Sequence, residues 1–297
     1  MFQGTHTALV TPFCDGQIDT TRFKALIQAQ IKGGVDGIVP VGTTGESPTI
    51  SPAEHIAIVR AAVEFAKGRV KVIAGTGANS TNEAIHLTQA AEAAGADASL
   101  QVAPYYNRPS QEGLFQHFRS IAKATQLPII LYSIPGRCGV SIAAETVARL
   151  KKACRNVIGI KEAGGDADRV SQLRHLLGPR FTILSGDDAL TLPFMAVGAE
   201  GVISVASNLV PREMSRMVQY FREGKQPQAL AIHERLYPLF KALFLETNPV
   251  PIKTAMALAG KLTLELRLPL VPMSTPNKRI LIRALKTSKI KGIARRD

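Results

Sequence analysis

The stretch GIVPVGTTGESPTISPAEHIAIVRAAVEFAKG, Gly37 to Gly68, reads as one complete strand-turn-helix unit. It opens on a short apolar run of the kind that fills a strand buried on both faces. The run breaks at a glycine-bounded turn, GTTGES, Gly42 to Ser47. A helix then announces its own start. Ser51 can cap it, Pro52 suits the first turn, and Glu54 stands three residues after the serine to close a capping box. Ile56, Val59, Val63 and Ala66 follow at helical spacing and are predicted to share the buried face.

Outward from this unit the same alternation recurs. Eight strand-like runs are legible in HTALVTPF, GIVPVGTTG, VKVIAGTG, ASLQVAPYY, PIILYSIP, VIGIKEA, FTILSGDD and GVISVAS. An amphipathic pattern follows each. The helix after the third run starts like the first one described, with Ser80 and Glu83 three apart. Eight such units in roughly 225 residues predict a (β/α)8 TIM barrel. A doubly wound open sheet is the alternative, and the even spacing favours closure. From Val210 onward the patterns are only helical: PREMSRMVQYFREG, PQALAIHERLYPLFKALFLE, PIKTAMALAGKL and NKRILIRALKTS. The last three exceed what a barrel needs. The expected organisation is a barrel over 1–224 and a small helical C-terminal extension over 225–297.

Composition narrows the function classes. The 297 residues are 45% hydrophobic and 20% charged, enough for a full core. The start MFQGTHTALV lacks the basic and apolar segments of a secretion signal. No apolar run approaches the roughly 18 residues of a membrane span. Three widely spaced cysteines, Cys14, Cys138 and Cys154, point to reduced thiols and a cytoplasmic setting. The net charge of +13 is partly in the tail NKRILIRALKTSKIKGIARRD. Aromatics are 5% with no Trp, and no nucleic-acid-binding module is legible, so a solvated basic helix is expected rather than a nucleic-acid site. Such a field still attracts small anions. The six histidines, His6, His55, His86, His117, His175 and His233, lack metal-ligand spacing. GTTGES is neither a P-loop nor a dinucleotide fingerprint, and no serine-hydrolase elbow is present. No metal or cofactor is expected.

In a barrel of this kind the chemistry sits at the C-terminal strand ends. Read in order, those ends carry Thr43 and Thr44, Tyr105 and Tyr106, Tyr132 and Arg137, Lys161, Gly186 and Asp187, and the stretch around Ile203. The run VIGIKEA, Val157 to Ala163, ends its apolar strand on a lysine. Either the strand stops at the surface there, or Lys161 stands at the edge of a dry pocket. The polar groups converging on the same mouth favour the pocket. Lysine ordinarily titrates near 10.4, and desolvation lowers that value; a drop of about three units is worth about 4 kcal/mol. The freed amine attacks a ketone to give a Schiff base, and the protonated imine acidifies the neighbouring C–H to yield an enamine. Hydroxyls such as Thr43, Tyr132 and Tyr106 can move the protons. The amides and hydroxyls of GTTGES suit a carboxylate, a plain tight turn being the other reading.

The segments VGTTGES, VIAGTGAN, PYYNRPSQEGL, YSIPGRCG, GIKEA and LSGDDA resemble, in this order, the 4-hydroxy-tetrahydrodipicolinate synthases, or dihydrodipicolinate synthases, of lysine and diaminopimelate biosynthesis. The match runs from Phe2 to Pro272. Within the pyruvate-dependent lyase superfamily, the threonine pair after Gly42 and the position of Arg137 resemble the synthases; an N-acetylneuraminate lyase-like aldolase is the alternative. The resemblance implies that Lys161 forms the Schiff base with pyruvate. It implies a proton relay of Thr43, Tyr132 and Tyr106, the last reaching in from a partner subunit. Thr44 and nearby backbone would hold the pyruvate carboxylate, Arg137 the carboxylate of aspartate semialdehyde, and Gly186 and Ile203 would line the pocket. A homotetramer built as a dimer of dimers is implied too. Ser133 stands where the family usually has asparagine and Cys138 where it has threonine, which bears on aldehyde preference. Many relatives bind lysine in a cleft between subunits. The matching positions here are Ser47, Pro48, Pro52, His55, Asn79, Glu83 and Tyr105. Pro52 replaces a histidine common in lysine-sensitive relatives, so lysine is expected to inhibit weakly or not at all.

Overall fold

The computed structural model describes residues 2–290. Eight parallel strands close into a barrel: β1 Gly4–Ala8, β2 Gly37–Val39, β3 Lys71–Gly75, β4 Ala98–Val102, β5 Ile129–Ser133, β6 Val157–Glu162, β7 Thr182–Ser185 and β8 Gly201–Ser204. Seven of them lie within the apolar runs read from the sequence; β1 starts two residues ahead of its run HTALVTPF and stops at Ala8. Pairing of β8 with β1, from Gly4 against Gly201 to Thr7 against Ser204, shuts the ring and excludes the open sheet. The outer helices follow in turn: α1 Thr20–Gly33, α2 Pro52–Ala66, α3 Thr81–Ala93, α4 Gln111–Lys123, α5 Ala144–Ala153, α6 Ala167–Leu177, α7 Thr191–Ala196 and α8 Pro211–Arg222.

The capping box of α2 forms in both directions: Ser51 Oγ accepts from Glu54 N at 3.3 Å, and Ser51 N donates to the Glu54 carboxylate at 2.9 Å. The buried face differs from the expected one. His55, Ile58, Val59, Ala62, Phe65 and Ala66 are buried, whereas Ile56 and Val63 are only half-buried. The buried stripe is centred one position earlier, so that His55 and Ala62 replace Ile56 and Val63 while Ile58 and Phe65 join Val59 and Ala66, and the aromatic ring brings the larger apolar area out of water. At α3 only half of the box forms, Glu83 N donating to Ser80 Oγ at 3.4 Å, and Glu83 is exposed.

Three further helices, α9 Gln226–Ala242, α10 Val250–Leu258 and α11 Thr275–Thr287, follow among the described residues. Leu236, Phe240, Ile252, Leu281 and Leu285 from these helices lie in one apolar cluster with Met214 and Val218 of α8. Polar anchors tie the same segment to the second strand-helix unit. Lys253 on α10 is fully buried and donates to Glu46 at 2.6 Å and to the Thr11 carbonyl at 3.0 Å. Arg267 forks onto Glu54 at 2.6 and 2.9 Å. Lys278, Arg279, Arg283, Lys286 and Lys289 are exposed, and the rest of the basic tail lies outside the described residues. Among the described residues no helix is long and apolar enough to cross a membrane.

Candidate active site

Strand parity decides where Lys161 points. A register shift opposite Ile129 and Ile130 puts an extra residue into β6. Val157 and Ile160 therefore join the apolar layer under the outer helices, while Ile158 packs toward the barrel interior. After the bulge, Lys161 pairs with Tyr132 across the β5–β6 ladder, and the two side chains meet inside the mouth. Lys161 is buried, and its Nζ lies 4.1 Å from the centroid of the Tyr132 ring. Below it the barrel is filled by Ala8, Val39, Ile73, Leu100, Leu184 and Ile203. Burial over this floor pushes the lysine down to about 7, against the pull of Asp188 and with a smaller push from Arg137. A far larger share of the amine is then neutral near pH 7 than in a free lysine.

Gly186 makes room for the lysine stem. A Cβ there would stand 2.6 Å from the Ala163 Cβ and 3.0 Å from the Lys161 Cε. Tyr132 is buried and its phenol is pushed up to about 12 by burial, the Arg137 charge and the Thr43 side-chain hydrogen bond opposing. It is thus a neutral phenol throughout the physiological range. Thr43 and Thr44 ride on a short 3₁₀ turn, Thr43–Gly45. On either side of that turn, Val41 (φ 53°) and Glu46 (φ 60°) hold left-handed backbone, which non-glycine residues seldom adopt. Glu46 is kept there by Lys253 and by the Arg267 backbone N–H, at 2.6 and 3.1 Å.

Lys161, Tyr132, Thr43, Thr44, Arg137 and Gly186 line one cavity. Arg137 stands at its rim on a helical turn, Pro135–Cys138, donating to the Asn248 carbonyl at 3.3 Å and to Thr247 Oγ1 at 3.4 Å. Ile203 belongs to the floor beneath, and Val205 supplies the wall. Tyr106 is not brought to the cavity of its own chain. It is 91% exposed, at a left-handed φ of 71°.

Sequence reasoning missed three cavity neighbours. Asp188 is fully buried, accepts from the Val205 and Ala206 amides at 3.1 and 2.9 Å, and is pushed up to about 6 by burial. Its signal was the second aspartate of LSGDDA. Phe244 and Asn248 come from the segment after α9 and carry no strand-end signal.

A second lobe, lined by Ser47, Pro48, Tyr105 and Cys138, shares Thr43, Tyr132 and Arg137 with the first. Asn79 Nδ2 donates to the Tyr105 carbonyl at 3.4 Å. Burial, and next Glu83, push the Tyr105 phenol up. His55 is buried, pushed down to about 4 by that burial, with its Nε2 unpartnered. Pro52 is exposed at the start of α2. Ser133 is buried and accepts from the Ile142 amide at 3.4 Å, bracing the chain after β5. Burial pushes the Cys138 thiol up to about 11, Arg137 opposing. Among the described residues, no group of three or more His, Cys, Asp or Glu gathers as metal ligands do.

Known proteins share this architecture. The model of the dihydrodipicolinate synthetase family matches residues 1–288. The 4-hydroxy-tetrahydrodipicolinate synthase of Persephonella marina is 55% identical over 287 residues, covering 96% of this chain and 98% of that protein. Among solved structures, the 4-hydroxy-tetrahydrodipicolinate synthase of Methylacidiphilum fumariolicum SolV superimposes with a TM-score of 0.96 at 58% identity, over 97% of this chain and 96% of that one. The dihydrodipicolinate synthase of Acinetobacter baumannii, solved in complex with pyruvate, gives a TM-score of 0.95 at 42% identity, over 98% of this chain and 100% of that one.

Proposed function

The chain belongs to the dihydrodipicolinate synthetase family, and from that premise we propose that it condenses pyruvate with L-aspartate 4-semialdehyde through a Schiff base on Lys161. It is an enzyme of the lyase type, a synthase of the diaminopimelate route to lysine. The observation that carries the mechanism is a buried lysine, pushed down to about 7, lying against a tyrosine ring at the mouth of a closed barrel. The neutral amine adds to the ketone carbon of pyruvate, and the carbinolamine loses water to leave an iminium. The iminium releases a methyl proton and becomes an enamine, whose carbon attacks the aldehyde. Tyr132 and Thr43, in hydrogen-bond reach of each other, carry protons into and out of these steps. Thr44 and the amides of its turn receive the pyruvate carboxylate. Arg137, at the rim, receives the carboxylate of the second substrate by a charge-assisted contact. Gly186 leaves the lysine its path, and Ile203 closes the floor.

Tyr106 completes the relay from a partner subunit in a homotetramer built as a dimer of dimers. A large aromatic, 91% exposed on a left-handed turn, fits such a reach. The reaction is placed in the cytoplasm, with no metal or cofactor. The lobe carrying Ser47, Pro48 and Tyr105, with Asn79, Glu83 and His55 around it, is a cleft for lysine that binds weakly, because Pro52 offers no side-chain hydrogen bond. Two assays test these readings. Borohydride with pyruvate should leave a reduced adduct on Lys161, and turnover with aspartate semialdehyde should withstand sub-millimolar lysine. An adduct on another lysine removes the mechanism, and strong inhibition shows that the cleft manages without a donor at position 52.

A further inference from the structure

One residue touches both substrate arms of the cavity and belongs to neither. Asn248 lies between α9 and α10, more than 200 positions along the chain from the GTTGES turn, and is buried. Its Nδ2 donates to Thr44 Oγ1 at 2.9 Å, and its backbone carbonyl accepts from Arg137 at 3.3 Å. It lines the same cavity as Lys161, and its Oδ1 is buried without a partner.

A threonine hydroxyl has one proton to donate and two lone pairs to accept with. With one lone pair already engaged by the Asn248 amide, the Thr44 proton is left to point elsewhere. Among the described residues Thr44 Oγ1 donates to no protein acceptor, and the hydroxyl stands on the cavity wall. The geometry points to Asn248 as a positioning residue that turns Thr44 into a dedicated donor for a carboxylate, and so sets the affinity for the 2-oxo acid. This rests on the reading of Lys161 as the Schiff-base lysine. Asn248 does this from the C-terminal segment, so the helices beyond the barrel take part in substrate recognition. The α10 helix that follows is fixed to the other end of the same turn by the Lys253–Glu46 pair, which keeps the amide in register with Thr44.

The test measures borohydride trapping as a function of pyruvate concentration, alongside steady-state kinetics. Wild-type trapping on Lys161 comes first, and a chain that is not trapped there removes this inference together with the mechanism. In Asn248→Ala the half-saturating pyruvate concentration should rise about 3- to 10-fold, the worth of one hydrogen bond, while kcat changes less than twofold. Asn248→Asp keeps the shape but replaces the donor with a charged acceptor, which captures the Thr44 proton and repels the substrate carboxylate. It should raise the same concentration at least about tenfold. In a Thr44→Val background Asn248→Ala should add nothing further to the pyruvate term. A pyruvate dependence unchanged in Asn248→Ala overturns the inference. So does a well-tolerated Asn248→Asp, which would mean that the amide accepts from Thr44, and so do fully additive effects in the double variant. Equal losses in kcat and in both substrate terms would reduce Asn248 to a packing role.

Discussion

Among the described residues two lysines are buried against aromatic rings, and they have opposite fates. Lys161 Nζ lies 4.1 Å from the Tyr132 ring centroid, and Lys253 Nζ lies 4.4 Å from that of Phe13. Around Lys253 the protein supplies a carboxylate at 2.6 Å and a carbonyl at 3.0 Å. Burial lowers its pKa, and Glu46 acts against that shift. Around Lys161 the countercharge that opposes the shift is Asp188, whose carboxyl is itself pushed up to about 6 and whose Oδ2 is engaged by two amides. Burial therefore does not make a lysine a nucleophile. Burial without a paired carboxylate does. The paired lysine holds a turn in place, and the unpaired one is left with a basicity matched to neutral pH.

The strongest way to break this contrast is to remove each amine in turn. Lys161→Met should abolish the pyruvate adduct and turnover, yet it should not weaken the fold. A lysine whose folded pKa is below its unfolded one disfavours folding while it is charged. That cost is full below about pH 7 and fades as pH climbs from about 7 toward 10.5. Lys161→Met should thus raise stability at pH 6, with an upper bound of about 5 kcal/mol, and most of that gain should be gone by pH 10. Lys253→Met should do the reverse. It leaves the Glu46 carboxylate buried and unpaired and should cost about 3–5 kcal/mol, much of which Glu46→Gln recovers in the double variant. Denaturant titrations at the two pH values decide it; equal destabilisation by both single variants would erase the distinction.

A smaller effect separates the ring from the hydroxyl. Tyr132→Phe keeps the aromatic face under Lys161 and deletes the proton carrier, so stability should hold while kcat falls about 10²-fold. Unchanged turnover would assign the proton to another group. The smallest effect concerns Arg137. Its charge adds to the downward shift of Lys161, so Arg137→Ala should move the acid limb of pyruvate trapping to higher pH. The same variant should raise KM for aspartate semialdehyde about 10- to 100-fold by losing a charge-assisted bond. A KM that stays put would give the arginine a purely structural role.

How much of this the sequence showed follows from contact distance along the chain. Strand runs and helix caps are written within a few neighbours, and seven of the eight strands and the Ser51–Glu54 box are found where local patterning placed them, the first strand lying slightly ahead of its run. Lys161 was legible because a strand end in a barrel has a fixed meaning. The α2 face was misread by one position because periodicity alone does not weigh Phe65 against Val63. The bulge that turns Lys161 inward leaves no mark in VIGIKEA, since its residues are apolar on either parity. Lys253 and Asn248 were invisible as site residues: their partners Glu46 and Thr44 lie more than 200 residues away, and nothing local in PIKTAMALAGKL distinguishes a buried cation from a solvated one.

The missing side chain at Gly186 has one more consequence. The lysine stem threads a slot between that glycine and the Tyr132 ring, with its Cε where a Cβ would otherwise crowd it. A free lysine side chain samples many rotamers, a freedom worth about 2 kcal/mol. Folding has already taken that freedom away, so it is not lost again when the ketone arrives. The amine meets its carbon at a high effective molarity because the slot was shaped in advance of the encounter.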